Sequence, residues 1–303
     1  MRAALLREVD GPFELADVPD PVGDAKVVVR VRAAGVNFAD VLVRRGRYPQ
    51  MPEFPVVLGS EIAGELDDGT RVMAITSGAG GYAELAAVDR AQVVPLPEHA
   101  TFAEGASFLL TFLTAYIPLT RQARLGPGTT VLVYAAAGGV GTAAVQLARA
   151  FGARVVAAAG STEKLDVCRE LGASEAYVYD ELPEDLKVDV VVDPVGGELF
   201  SQGISRLNPL GVLLALGSAA GPWPETNPGL LVGRNVGVQG FYLGRLLRLA
   251  PELVGSAVGE LLALWQTGAF KPLVGAELPL GEVERAHELM ESRSSVGKVV
   301  LVP

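Results

Sequence analysis

The sequence predicts an α/β fold in which a doubly wound parallel sheet is inserted into a split, mainly β domain. Three observations carry that expectation. Continuous apolar runs alternate with helical stripes between residues 130 and 241. Both flanks of that segment carry short alternating strands broken by Gly and Pro. The length, 303 residues, suits two domains of roughly 150 residues each. The expected division is 1–115 plus 246–303 for the β-rich domain and 116–245 for the inserted one.

In chain order, residues 26–32 alternate, with Val27, Val29 and Val31 against Val28, Arg30 and Arg32, and 70–75 and 82–88 read as similar strands. Gly- and Pro-rich loops at 49–55 and 77–81 separate them. Residues 130–135 form an unbroken apolar run, the pattern of a strand buried on both faces. A glycine turn follows. Val140, Ala143, Ala144, Leu147, Ala148 and Phe151 then recur at helical spacing, with Gln146 and Arg149 off the stripe. A second buried run, 154–159, leads to a helix over 162–171 closed by Gly172. The alternation continues through 188–193, a helix over 198–207, then 212–216 and 236–241. The tail returns to the first texture, with a helix over 281–293 and a strand over 298–302.

Half of the residues are apolar and 20% are charged, which excludes a disordered or collagen-like chain. The net charge of -10 repels phosphodiester backbones and anionic lipid, so neither nucleic acid nor a membrane is expected as partner. The single cysteine, Cys168, cannot close an internal disulfide, and no Cys cluster exists for zinc. Residues 1–8 hold no apolar signal core, and the longest apolar stretch, 108–119, falls short of the ~20 residues of a spanning helix. A cytoplasmic protein is the expectation.

The sharpest motif is Ala135-Ala136-Ala137-Gly138-Gly139-Val140-Gly141, set between a predicted strand and a predicted helix. A dinucleotide needs its pyrophosphate against a helix N-terminus, where open N–H groups and the dipole favour anions. Gly138 and Gly139 let the backbone approach, and Gly141 allows helix and strand to pack closely. Taken bare, a glycine triplet is an ordinary tight turn; the strand before it and helix after it make it a dinucleotide site. NAD binders usually place a carboxylate about 20 residues on, for the ribose 2′-OH. That place holds Gly160-Ser161, with Lys164 one turn further, which favours NADPH. The plain alternative has Ser161 capping the helix and Lys164 solvated. Glu163 is adjacent, but a residue at that point in a helix can face away.

With these motifs in view, the chain resembles the zinc-free quinone oxidoreductases and ζ-crystallins of the medium-chain dehydrogenase/reductase superfamily. The resemblance runs through Ala34-Gly35-Val36-Asn37 with Asp40, Arg44, Gly46 and Tyr48, then Gly59-Ser60-Glu61 with Gly64, and Gly81-Tyr82-Ala83-Glu84. It continues through Leu113-Thr114-Ala115-Tyr116, the glycine turn to Gln146 and Arg149, Asp193 with Gly196-Gly197, Leu216-Gly217, and Gly297-Lys298-Val299-Val300-Leu301. It implies a Rossmann-type domain within a split GroES-like catalytic domain. Zinc alcohol dehydrogenases of the superfamily carry Cys where this chain has Asn37 and His where it has Ser60, so the resemblance implies a metal-free enzyme. His99, in a loop, and His287, on an expected surface helix, are not ligand candidates. One departure is the short Glu65-Leu66-Asp67-Asp68, where relatives carry a longer hairpin.

The activity implied is NADPH-dependent reduction of a small-molecule quinone, an acceptor that takes hydride without a Lewis acid. In the family the cleft between the domains holds both partners. Asn37 is expected to position the nicotinamide ribose or a substrate oxygen. Tyr48 is expected to donate to the quinone oxygen or stack on its ring, or else simply to pack among its neighbouring prolines. Asp40 and Arg44, at i,i+4 spacing, are expected to form a buttressing ion pair, with Glu61 in a similar structural part. The resemblance places Thr114, Ala137, Gly138, Gly139, Val140, Gly160, Ser161, Lys164 and Tyr179 along the adenine half and phosphates. It places Val195, Leu216, Gly217, Phe241 and Leu243 beside the nicotinamide, although Leu216 and Phe241 also suit a plain core. Cys168 is expected to be inert packing. The strand at 236–241 is a sheet edge, and a homodimer through it is expected. Two other functions fit the same scaffold: a zinc-free enone or enoyl thioester reductase, and a non-enzymatic NADPH-binding protein.

Overall fold

The computed structural model describes residues 1–22, 26–76 and 78–303, so Ser77 of the expected loop 77–81 lies outside the described residues. The chain forms two compact units, Met1–Leu110 with Pro272–Pro303, and Thr111–Lys271.

In the second unit, six parallel strands among the described residues form one sheet. Their order is Glu175–Val178, Arg154–Ala159, Thr130–Val133, Val188–Asp193, Leu207–Ala215 and Gly237–Gly240. Strands are added outward in both directions from Thr130–Val133, the doubly wound order that opens a crevice at the carboxyl ends. Val131, Leu132, Val133, Val155 and Val191 have no exposed surface, as continuous apolar runs demand. The helix Gly139–Ala150 buries Ala143, Ala144, Leu147 and Ala148 of the expected stripe, with Val140 half-buried at its start and Phe151 half-buried at its C-cap. It also buries Gln146, expected off that stripe. The Gln146 carboxamide donates to the Lys271 carbonyl at 3.0 Å and accepts from the Lys271 amide at 2.9 Å, so its polar atoms are satisfied inside.

The expected helix at 162–171 is a 3-10 turn, Thr162–Lys164, followed by a short helix, Leu165–Glu170. A larger difference concerns 246–271, which sequence reasoning assigned to the β-rich domain. The helix Pro251–Gln266 belongs to the second unit. Its Glu260 accepts from Tyr116 and Arg121, and Trp265 stacks on Phe270, which in turn meets Phe112 at 4.3 Å. Val254, Ala257, Leu261 and Trp265 on this helix are buried.

The first unit is built on a seven-stranded sheet among the described residues. Its path runs Val274–Pro279, Lys298–Val302, Lys26–Val36, Glu61–Glu65, Arg71–Ile75 and Val93–Pro95, with Leu85–Asp89 pairing beside Lys26–Val36. The expected strands 26–32, 70–75 and 82–88 are present with shifted ends. Two registers decide the site: Gly35 stands opposite Glu61, and Val36 opposite Val299. The short segment after Gly64 is a tight hairpin in which the Leu66 amide donates to the Thr70 carbonyl at 3.0 Å.

The helix Val283–Glu291 packs on this core, and His287 on it is fully buried rather than on the surface. Phe13 and Tyr82 meet its ring edge-on at 4.9 and 6.0 Å. The apolar stretch expected to be too short also reads differently in three dimensions. Residues Phe102–Gln122 form one helical run long and apolar enough to cross a membrane, and most of it is buried within the protein. A core helix passes the same test, because burial in protein and in lipid select the same residues.

Candidate active site

The glycine turn belongs to the second unit. Beyond Val133 the Tyr134 amide donates to Val192 O and the Ala136 amide to Ala158 O, both at 3.0 Å, so the turn hangs from the two flanking strands. The Gly138 amide folds back onto Ala135 O at 2.8 Å, and Thr142 is the first amide to pair backwards onto the turn, with Gly138 O. The amides of Gly139, Val140 and Gly141 therefore stay open at the N-terminus of a twelve-residue helix, a ready anion site. A side chain at Gly141 would stand 2.1 Å from Ala135 O, so helix and turn touch only because that position has none.

The Tyr179 hydroxyl accepts from the Ala135 amide at 3.2 Å, and its ring lies 3.8 Å from where a Cβ on Gly160 would be. Tyr179 and Gly160 thus stand beside the turn. Ser161 precedes the 3-10 turn, and its hydroxyl bonds to the Glu163 carboxylate, holding that carboxyl below its usual range. Lys164 is half-buried, and burial lowers the pKa of its ammonium. Cys168 is fully buried, and burial pushes its thiol up to about 11, in keeping with inert packing.

At the carboxyl ends of the next strands, the Asp193 carboxylate accepts from the amides of Val195 and Gly196 at 2.8 and 2.9 Å and shapes that turn. Burial raises its pKa. The Leu216 amide donates to Asp193 O and the Phe241 amide to Ala215 O. Val195, Leu216, Gly217 and Phe241 are thereby ranked along one edge of the sheet. Leu243 is buried in the helix Leu243–Leu249. Thr114 is half-buried on the helix Leu109–Ile117. A cavity of about 520 Å³ opens at the same edge, walled by Ala215, Gly240, Phe241, Tyr242 and Trp223, with Arg245 as its cation.

The first unit, taken by itself, holds a polar cluster. Asp40 is buried and accepts from the Asn37 amide at 2.8 Å, from Ser60 Oγ at 3.0 Å and from the Tyr82 hydroxyl at 3.0 Å. Burial raises its pKa, and these three donors work against that shift. The expected Asp40–Arg44 pair does not form. Arg44 turns to Glu284 at 2.7 Å and to Gly11 O at 3.2 Å, and lies 4.9 Å over the Phe13 ring. Asp40 has its donors already, and Arg44 finds a carboxylate on the C-terminal helix that sequence spacing cannot reveal.

Glu61 is structural, as expected, but its partner is Lys298. The Lys298 ammonium donates to Glu61 Oε2 at 2.7 Å and to Asn37 Oδ1 at 2.6 Å, while Glu61 Oε1 accepts from the Leu110 amide at 2.9 Å. Sequence reasoning saw Lys298 only as part of a motif. Its neighbour Val299 is opposite Val36, and that register is the missing signal. Tyr48 is half-buried and packs against the hydrophobic core of this unit.

The turn fits a dinucleotide, since it offers open amides and a cradle that a side chain would fill. The Asn37–Ser60 pair does not fit zinc. Its donors are a carboxamide and a hydroxyl, and an ammonium already holds the carboxamide oxygen. Among the described residues no three His, Cys, Asp or Glu side chains are grouped to hold a metal.

Two families match the chain: an alcohol dehydrogenase GroES-like domain over residues 23–98 and a zinc-binding dehydrogenase over 139–258. The quinone oxidoreductase from Thermus thermophilus, solved with and without NADPH, is 42% identical, with a TM-score of 0.93 and all of both chains covered. A quinone oxidoreductase of Mus musculus is 32% identical over 100% of this chain and 98% of its own. A synaptic vesicle membrane protein VAT-1 homolog of Rattus norvegicus is 36% identical, covering 94% of this chain and 79% of its own.

Proposed function

The chain belongs to the quinone oxidoreductase/ζ-crystallin family of the medium-chain dehydrogenase/reductase superfamily, and from that premise we propose that it reduces quinones at the expense of NADPH without a metal. It is an NADPH-dependent oxidoreductase. The observation that carries the reading is the turn Ala135–Gly141, whose open amides at Gly139, Val140 and Gly141 suit a pyrophosphate. NADPH, when bound, supplies the hydride.

The chain's own residues do the rest. Gly138, Gly139 and Val140, with Ala137 behind them, hold the phosphates, and Gly160, Ser161, Lys164 and Tyr179 surround the adenosine end. Val195, Leu216, Gly217, Phe241 and Leu243 wall the nicotinamide end, and Thr114 contributes from its own helix. Asn37 donates to an oxygen of substrate or ribose, and Tyr48 offers its hydroxyl or ring to the quinone. No residue must act as obligatory acid, because water can protonate a delocalised phenolate. The edge strand Gly237–Gly240 supports a homodimer, since its outer side is an unpaired edge of the sheet.

The test is the initial rate of NADPH and NADH oxidation by chelator-washed protein, offering a small quinone and an enone in parallel. The reading expects fast, NADPH-selective turnover with the quinone, and Lys164→Ala should erode that selectivity. Turnover of the enone alone would move the function to an enone reductase. Loss of activity on chelation, restored by zinc, would overturn the metal-free reading.

A further inference from the structure

We propose that Lys298 is a positioning residue that fixes the carboxamide of Asn37 as a hydrogen-bond donor and strengthens it. Lys298 is 3% exposed and Glu61 not at all, so the pair is held inside the first unit. An ammonium has donors and no acceptor, so the atom 2.6 Å from Nζ on Asn37 must be the carboxamide oxygen. The flipped amide would set N–H against N–H, and the Lys298 charge forbids it. The nitrogen then has to point the other way. It gives one proton to Gly35 O at a long 3.2 Å, and among the described residues its second proton has no acceptor.

Asn37 also occupies the N-cap of Phe38–Arg44, in a capping box with Asp40, whose carboxylate accepts from the Asn37 amide at 2.8 Å. Gly35 leaves room for the Lys298 contact. A Cβ there would lie 2.9 Å from Lys298 Cε and 3.1 Å from Glu61 Oε2, so the bare central strand lets the two side chains meet across it. Glu61, tied to the Leu110 amide by its other oxygen, keeps the ammonium in place.

This inference rests on the reading of Asn37 as a group that meets substrate or cofactor, and sharpens it. The partner of Asn37 must be an acceptor oxygen. A cation on the amide oxygen polarises the N–H bonds, so the donor binds best to an oxygen gaining negative charge, as a quinone oxygen does on taking hydride.

The test uses the whole protein and four variants: Lys298→Arg, Asn37→Ala, the paired Glu61→Gln/Lys298→Met that removes both buried charges, and the triple variant. The first readout needs no turnover. In the cofactor-free protein the Asn37 side-chain NH2 resonances should be protected from exchange, and the paired variant should lose that protection at least tenfold while the far sheet is unchanged. The second readout is quinone reduction. The paired variant should lose 10- to 100-fold in kcat with less than threefold change in KM for NADPH, Lys298→Arg should recover most of it, and in the Asn37→Ala background the pair should cost less than twofold.

An equal loss in both backgrounds overturns the proposal, because Lys298 would then act independently of Asn37, and so does unchanged exchange at Asn37. If exchange responds but Asn37→Ala retains full activity, the orientation stands, and both the strengthening of a reacting contact and the proposed part of Asn37 in turnover fail.

Discussion

At His287 both ring nitrogens lie in apolar surroundings with no hydrogen-bond partner among the described residues. Burial is the main reason its pKa falls to about 3, with the Arg44 charge adding to the effect, Arg45 adding less and Glu291 opposing it. The imidazole is therefore neutral in the fold and protonated only in the unfolded chain over the window from about 6.5 down to about 3. Stability tied to this residue is complete above that window and is lost as pH falls through it, by up to ~1.4 kcal/mol per pH unit. His287→Leu should therefore gain roughly 2–3 kcal/mol on the parent between pH 7 and pH 4.5 in urea unfolding. Parallel curves for the two proteins would refute the assignment. Gly141 makes a sharper steric case. Gly141→Ala should cost about 1–3 kcal/mol and weaken NADPH binding by at least tenfold in fluorescence titration, because the turn must move to admit a methyl group. Unchanged binding would mean the turn does not hold the phosphates. The close approach at Gly141 was readable from sequence, since local motif and local conformation coincide there. Lys298 on Asn37, Glu284 on Arg44 and the buried His287 were not, because each depends on a partner more than 200 positions away.

Elements were readable to the extent that their burial is symmetrical. The strands at 130–133, 154–159 and 188–193 are apolar over most of their length because both faces are covered, with Thr130, Arg154, Asp189 and Asp193 as the polar positions, and their runs announce them. The helix Pro251–Gln266 carries its own apolar stripe, yet nothing along it says which unit it joins. Its placement is decided by Glu260, which accepts from Tyr116, Ser256 and Arg121; the Tyr116 bond is the main cause of its lowered pKa. Tyr116 is pushed up to about 12 by burial first and by that bond second. Glu260→Ala leaves a buried phenol without its acceptor and should cost about 1–3 kcal/mol, seen as a lower urea midpoint. The same substitution combined with Tyr116→Phe should recover much of the loss. Additive losses would show that the two side chains are not coupled.

For the molecule as a whole, composition set the class and left assembly open. Trp223, which lines a cavity with Gly240 of the edge strand, is exposed, and a paired edge would explain an apolar side chain left in water. Light scattering at micromolar concentration should return twice the chain mass of 31.6 kDa. A mass equal to the single chain would remove the dimer. The helical run Phe102–Gln122 teaches the reverse lesson, since its composition suits a bilayer and its burial in the protein already covers it.

The contact between Lys298 and Asn37 spans 261 positions, and the whole second unit lies between its two ends. On a ribosome adding ~5–20 residues per second, the strand Lys26–Val36 emerges roughly 10–50 s before the strand that completes its sheet. The inserted unit is contiguous and can fold as it leaves the exit tunnel. The unit that starts first must wait for it, holding an acidic Glu61 and an apolar strand open to chaperones until Lys298–Val302 has emerged.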